Sequence, residues 1–249
     1  MIVNSNILLA SNPFYDAFVE SDLLGKLIFI GLVLLSVVSW IIMLYKGILT
    51  YQVKKHSSQF YSHFQSHKNN PLNLECSPNA KKEKMNPYMN IYMVLKKHTL
   101  DILSKNHRFG KTNGEHSLSY LTTPDIEYID MHLMSHIASQ TKYLEKNLFI
   151  LSTVVSLAPF LGLLGTVWGI LMTFAQLQSS SGGASNQMVL SGISLALATT
   201  VLGLIDAIPA LIGYNYFKNT IASFSIDMEG FSTEILAAVE MHYRKVDTN

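Results

Sequence analysis

From Leu148 to Phe217 the chain contains a single Asp, Glu, Lys, Arg or His, Asp206. A soluble helix keeps a charged face toward water, so a stretch this long with one ionised group belongs in lipid. There every backbone polar group has to be satisfied within the helix. Composition agrees, with 49% of residues hydrophobic and only 14% charged. The stretch from Lys46 to Asn147 is the opposite, carrying both signs of charge and most of the lysines and histidines. One part of the chain is built for membrane and the other for water.

About 20 apolar residues cross a bilayer as a helix. Three stretches qualify: LIFIGLVLLSVVSWIIMLY (Leu27–Tyr45), a second from Leu148 to Leu177 and a third from Met188 to Phe217. The last two hold about 30 residues each, or ~45 Å of helix, more than the hydrocarbon needs. The expected fold is an all-α membrane protein with three transmembrane helices, the second and third long and extended into the cytoplasm. Its expected organisation is an external N-terminus (1–22), a first span (23–45), a cytoplasmic helical insertion with mobile loops (46–147), a second span (148–177), an external turn (178–187), a third span (188–217) and a cytoplasmic C-terminal helix (218–249). The first stretch follows Asp16, Glu20 and Asp22 rather than a basic region, so it reads as a retained span and not a signal peptide. Orientation follows from the basic residues, because cytoplasmic segments hold the excess of Lys and Arg. None precedes Lys26, none lies in QLQSSSGGASNQ (Gln176–Gln187), and the run from Lys46 to Lys146 holds most of them.

Within the cytoplasmic part, Asn70–Pro87 and Ser104–Ser117 are rich in Asn, Pro, Gly, Lys and Ser and read as loops. Between them Met89, Tyr92, Met93 and Leu95 predict a short helix over Tyr88–Leu103. After Pro124, the spacing of Ile126, Ile129, Leu133, Ile137 and Leu144 predicts a helix from about Asp125 that enters the second span as one continuous rod. The lone Cys76 excludes a disulfide framework. GKT at Gly110–Thr112 lacks the first glycine of a phosphate loop, since Lys105 stands there. His132 and His136 are spaced i, i+4 without a third ligand in view, which fits a solvated helix face better than a metal site. No basic stripe with interleaved aromatics points to nucleic acid, and no cofactor or catalytic arrangement is expected.

The second span carries Pro159 and the glycines Gly162, Gly165 and Gly169 at i, i+3 and i+7. The third carries Gly192, Ala196, Gly203, Ala207 and Ala210 along one side, with Pro209 near its end. Small residues let membrane helices approach backbone to backbone, so the stripes predict close packing, with the prolines as points of bending. Thr166, Thr173, Thr199 and Thr200 add hydroxyls that either bond back to their own backbone or line a polar path. Asp206 is the strongest functional candidate, because a carboxylate within a span costs about 2.5–3.5 kcal/mol even on lenient insertion scales.

APFLGLLGTVWGILMTF together with GISLALATTVLGLIDAIPALIGYN resembles the two signature membrane helices of the TolQ/ExbB family, related to the MotA flagellar stator. The resemblance implies a non-enzymatic motor subunit of a bacterial inner membrane with a periplasmic N-terminus and a cytoplasmic C-terminus. It implies a homopentamer whose second and third helices line a pore for protons, occupied by a TolR- or ExbD-like single-span partner that delivers work to a TolA- or TonB-like protein. Thr200 matches the family's pore-facing threonine, and Thr166 lies in the GTVWG block. The family's glutamate in the third helix is replaced here by Leu195. Asp206 lies eleven residues on, about 20° from the same face and ~16 Å further along the helix. Three roles stand open for it: a displaced pore acid, a polar packing residue bonded to a neighbouring hydroxyl, or a residue reached by water from the cytoplasm. Loss of the glutamate also leaves open a non-conducting membrane scaffold or adaptor.

Overall fold

The computed structural model describes residues 13–67, 70–74, 86–112, 120–179 and 186–244. Six helices make up nearly all of this: α1 (Pro13–Glu20), α2 (Leu23–Ser66), α3 (Pro87–Thr112), α4 (Thr123–Glu145), α5 (Leu148–Ser179) and α6 (Asn186–Tyr243). Three of them, α2, α5 and α6, are long and apolar enough to cross a membrane. The chain is an all-α protein with three membrane-spanning helices. Cys76 and the centre of the turn expected over 178–187 lie outside the described residues.

The chain divides into two compact units, one of residues 1–45 with 147–216 and one of 46–146 with 217–249. In the first, α2 starts on Asp22, whose carboxylate accepts the Gly25 backbone N–H at 3.0 Å and so satisfies a donor that the first turn leaves free. Ile28 and Leu32 of α2 then pack with Val154 and Ala158 of α5 and Ala207 and Ala210 of α6. The apolar side chains pointing away from this core, among them Leu34, Trp40, Phe160, Val167, Leu204 and Ile208, are exposed, a surface suited to lipid or to neighbouring helices rather than to water. Pro159 and Pro209 both sit inside unbroken helices.

The second unit is centred on aromatic rings. Phe231 stacks on Tyr88 with centroids 4.4 Å apart and planes 3° from parallel, and Phe60, Tyr61 and Phe64 meet it edge-on. Ile129, Leu133, Ile137 and Leu144, four of the five residues that predicted α4, are buried along one face. That helix opens with Pro124 in its first turn, where no N–H is needed, and with the Thr122 N–H donating to the Asp125 carboxylate at 2.9 Å.

Two local expectations are corrected. The rod expected from Asp125 into the second span is interrupted: α4 ends at Glu145, α5 begins at Leu148, and Asn147 between them has φ 72°. Asparagine is among the few residues that adopt this left-handed conformation readily, and it carries no signal in a hydrophobic period. The buried Lys46 donates from Nζ to the Leu144 carbonyl at 2.6 Å, partnering one of the carbonyls the helix end leaves free. The stretch expected as a loop from Ser104 is helical as far as Thr112, with residues 113–119 outside the described residues. Leu103 is buried there and Asn106 donates to the Tyr120 carbonyl at 3.0 Å, so tertiary contacts outweigh a weak helical composition.

His132 does not lie on a freely solvated face. Its ring stacks on His98 of α3 at 4.3 Å, and Tyr128 stands edge-on to both. The His98 imidazole is held below its ordinary pKa by burial first, then by His132 and Lys97, with Asp101 opposing. His136, one turn from His132, is lowered by burial alone. Both groups bind a proton more weakly in the folded chain than in the unfolded one, so their contribution is complete above about pH 6.5 and is lost as pH falls below it. Protection factors across α3 and α4, taken relative to the intrinsic exchange rate at each pH, should therefore fall on acidification. The dependence should weaken in His98→Phe, with a remainder left by His136; protection that rises on acidification would contradict the assignment.

Candidate functional site: the α5–α6 seam

The site is a seam between two antiparallel helices that come closer than ordinary side chains permit. A Cβ added to Gly162 would stand 3.0 Å from the Thr199 carbonyl oxygen and the Thr200 Cα, and one added to Gly165 would stand 2.7 Å from the Thr199 Cβ. Further along α5, Gly169 faces Ala196 at 3.1 Å and Thr173 fills the place a Gly192 side chain would take. In the other direction Gly203 faces the Ala158 carbonyl at 2.6 Å. All five glycines singled out in the sequence therefore belong to one contact, each omitting a side chain where the opposite backbone or a threonine already sits.

The threonines divide into two pairs. Thr173 and Thr199 are buried and bond back within their own helices, to Gly169 at 2.7 Å and Ala196 at 2.8 Å. Thr166 and Thr200 are half-buried and meet across the seam, their hydroxyl oxygens 2.9 Å apart. Each also lies within hydrogen-bond distance of the Gly162 carbonyl, at 3.0 and 3.1 Å, with Thr199 at 3.3 Å, so the single proton of each hydroxyl has alternative acceptors here. Three hydroxyls thus converge on one carbonyl between two apolar helices. The outer members of this cluster, Thr166 and Thr200, remain partly accessible.

Asp206 is elsewhere. It is 8% exposed, beside Ala207 and Ala210 in the three-helix core, and its carboxyl shares a hydrogen bond with Ser36 of α2. Pro159 and Pro209, lacking N–H groups, deprive the carbonyls of Val155 and Ile205 of their helical partners. The Leu195 side chain lies outside the described residues.

Two participants were not singled out from sequence. The Trp168 indole N–H donates to the second oxygen of Asp22 at 2.8 Å, so one carboxylate both caps α2 and fastens it to α5. An Asp directly ahead of an apolar run is a helix-start signal, and that signal marks Asp22. Ser36 had no comparable mark, being one hydroxyl within an apolar span.

Comparison with known proteins bears on the same helices. The model of the MotA/TolQ/ExbB proton channel family matches residues 103–230. The chain is 26% identical to the biopolymer transport protein ExbB of Salmonella typhimurium over 253 aligned residues, covering 99% of this chain and 93% of that protein. It is 26% identical to ExbB of Pseudomonas putida over 225 residues, covering 90% of this chain and 63% of the length of that relative. Over 91 residues it is 42% identical to the Tol-Pal system protein TolQ of Haemophilus influenzae, covering 36% of this chain and 40% of that protein. With the family model covering more than half of its residues and its three spanning helices in place, the chain belongs to the MotA/TolQ/ExbB proton channel family.

Proposed function

We propose that the chain is the multi-span subunit of an inner-membrane motor driven by the proton motive force. Five copies surround a pore lined by α5 and α6, and a TolR/ExbD-like single-span protein occupies that pore. Protons moving through it drive the partner, which passes work to a TolA- or TonB-like protein across the periplasm. The N-terminus is periplasmic and the C-terminus cytoplasmic, a reading supported by the distribution of Lys and Arg. The observation that carries the proposal is the Thr166–Thr200 pair: two hydroxyls bonded across a seam of apolar helices, half-buried, and so able to relay a proton or hydrate a pore wall.

A second reading rests on Leu195, which stands where the resembling helices carry glutamate. On that reading the chain is a non-conducting scaffold of the same fold that holds a partner without using proton energy. Co-expression with a TolR/ExbD-like single-span protein tests assembly: the tagged chain should capture the partner in a complex whose mass fits five copies of the chain. Purification as a monomer that captures no such partner would refute both readings.

A further inference from the structure

Asp206 faces α2, and two further polar groups lie within a turn of it. Ser36, its partner, precedes Ser39 by three positions, which puts both hydroxyls on one side of α2 about 4.5 Å apart along the axis. The Ser39 hydroxyl is 2% exposed and has no hydrogen-bond partner among the described residues. The two helices run in step, since Ser36 meets Asp206 and, seven residues later on each, Met43 lies against Gly213. Ser39 is therefore level with Pro209, and Pro209 leaves the carbonyl of Ile205 without its helical N–H. A carboxyl and two hydroxyls, with a carbonyl deprived of its helical N–H, thus lie at one level of the three-helix core. A buried hydroxyl without a partner, as at Ser39, is what a bound water molecule ordinarily satisfies where further polar groups stand beside it.

We propose that Asp206, Ser36 and Ser39 form a proton-binding site enclosed between the first and third spans, holding one water molecule through which the carboxyl gains and loses its proton. On loading, a protonated water transfers its proton to the carboxylate and remains as neutral water. The Ser36 hydroxyl donates to the carboxylate in the unloaded state and accepts from the carboxyl in the loaded one. Release is the reverse transfer, the proton leaving on water. No other Asp, Glu, Lys, Arg or His lies between Leu27 and Tyr45 on α2 or between Leu148 and Phe217 on α5 and α6, so Asp206 titrates there without a charged neighbour. The role of this site in driving movement rests on the motor function proposed above, whereas proton binding itself does not.

An apolar carbodiimide, which reacts with protonated carboxyls in apolar surroundings, tests the site in membranes containing the full-length chain. Asp206 is the only carboxyl side chain between Leu148 and Phe217, so an adduct on that segment identifies it. Labelling is expected, and it should decline about tenfold for each pH unit above its midpoint, as a single titrating group requires. Ser39→Ala, a small change that removes one partner of the water, should move the midpoint. Absence of labelling at every pH, or labelling indifferent to pH and to Ser39→Ala, would overturn the site and leave Asp206 as a packing residue. In a separate arm, Asp206→Asn should assemble normally yet lose proton-driven output; full output in Asp206→Asn would overturn the use of the site. Wild-type chain that labels as expected but produces no proton-driven output would instead refute the motor function and leave the site standing.

Discussion

Gly165→Leu should abolish the packed α5–α6 seam and with it the yield of folded protein. A Cβ at this position already falls 2.7 Å from the Thr199 Cβ and 2.9 Å from its Cγ2. These atoms belong to a β-branched side chain that is 1% exposed and hydrogen-bonded to Ala196 and Gly162, so it has no free rotamer to retreat into. Gly165→Ala alone should cost about 1–3 kcal/mol, the usual range for overpacking a close contact. Leucine adds three carbons that only separation of the helices accommodates, and in lipid no hydrophobic force draws them back together. Gly169→Leu should follow the same course, since Ala196 stands 3.1 Å from its built Cβ. The control is Gly31→Leu on α2, where nothing lies within 4 Å. Thermal unfolding of the full chain in detergent should place Gly165→Leu far below wild type and Gly31→Leu beside it; equal stability of all three would refute the seam.

Phe231→Ala should destabilise the second unit by about 3–5 kcal/mol, the cost of deleting a buried aromatic ring and leaving its cavity. Phe231 is 3% exposed and lies at the centre of the cluster, parallel to Tyr88 and edge-on to Phe60, Tyr61 and Phe64. Removing it takes contact from helices α2 and α3 at once, so no single neighbour can collapse into the space. Hydrogen exchange on the full chain should show α3 and the segment around Phe60 opening together, while α5 stays protected. A second readout comes from Tyr88, whose phenol burial, followed by Asp227 and Tyr61, pushes up to about 12. Opening its environment in Phe231→Ala should bring that value down toward the ordinary 10. A variant with wild-type exchange and an unmoved Tyr88 would show that the cluster contributes little.

Much of this architecture can be read from residue patterns, because a bilayer leaves few alternatives. One charge between Leu148 and Phe217 determines two spans, and the i, i+3, i+7 glycines mark the face along which they meet. Helical periodicity describes one helix at a time, however, and it does not say which neighbour a face meets. That is why Asp206 is conspicuous in sequence while Ser36, on a different helix and 170 positions earlier, is not. The His98–His132 stack escapes for the same reason, its two rings belonging to separate helices. Asn147 escapes for another: a single left-handed residue interrupts a helix without disturbing the apolar spacing on either side. The threonines were legible as a group, but only the structure separates Thr173, bonded within its own helix, from Thr166, Thr199 and Thr200, which reach across the seam.

Proton entry into sealed vesicles tests the central claim most directly. The full-length chain, reconstituted with a TolR/ExbD-like single-span partner, would be given an inward proton gradient and potential while an internal dye reports pH. The account predicts acidification faster than in protein-free vesicles, and its loss in a Thr166→Val, Thr200→Val double variant that still assembles, because valine keeps the shape of threonine and removes both hydroxyls of the pair. Acidification no faster than in protein-free vesicles, from a complex with partner bound, would contradict the motor and favour the non-conducting scaffold.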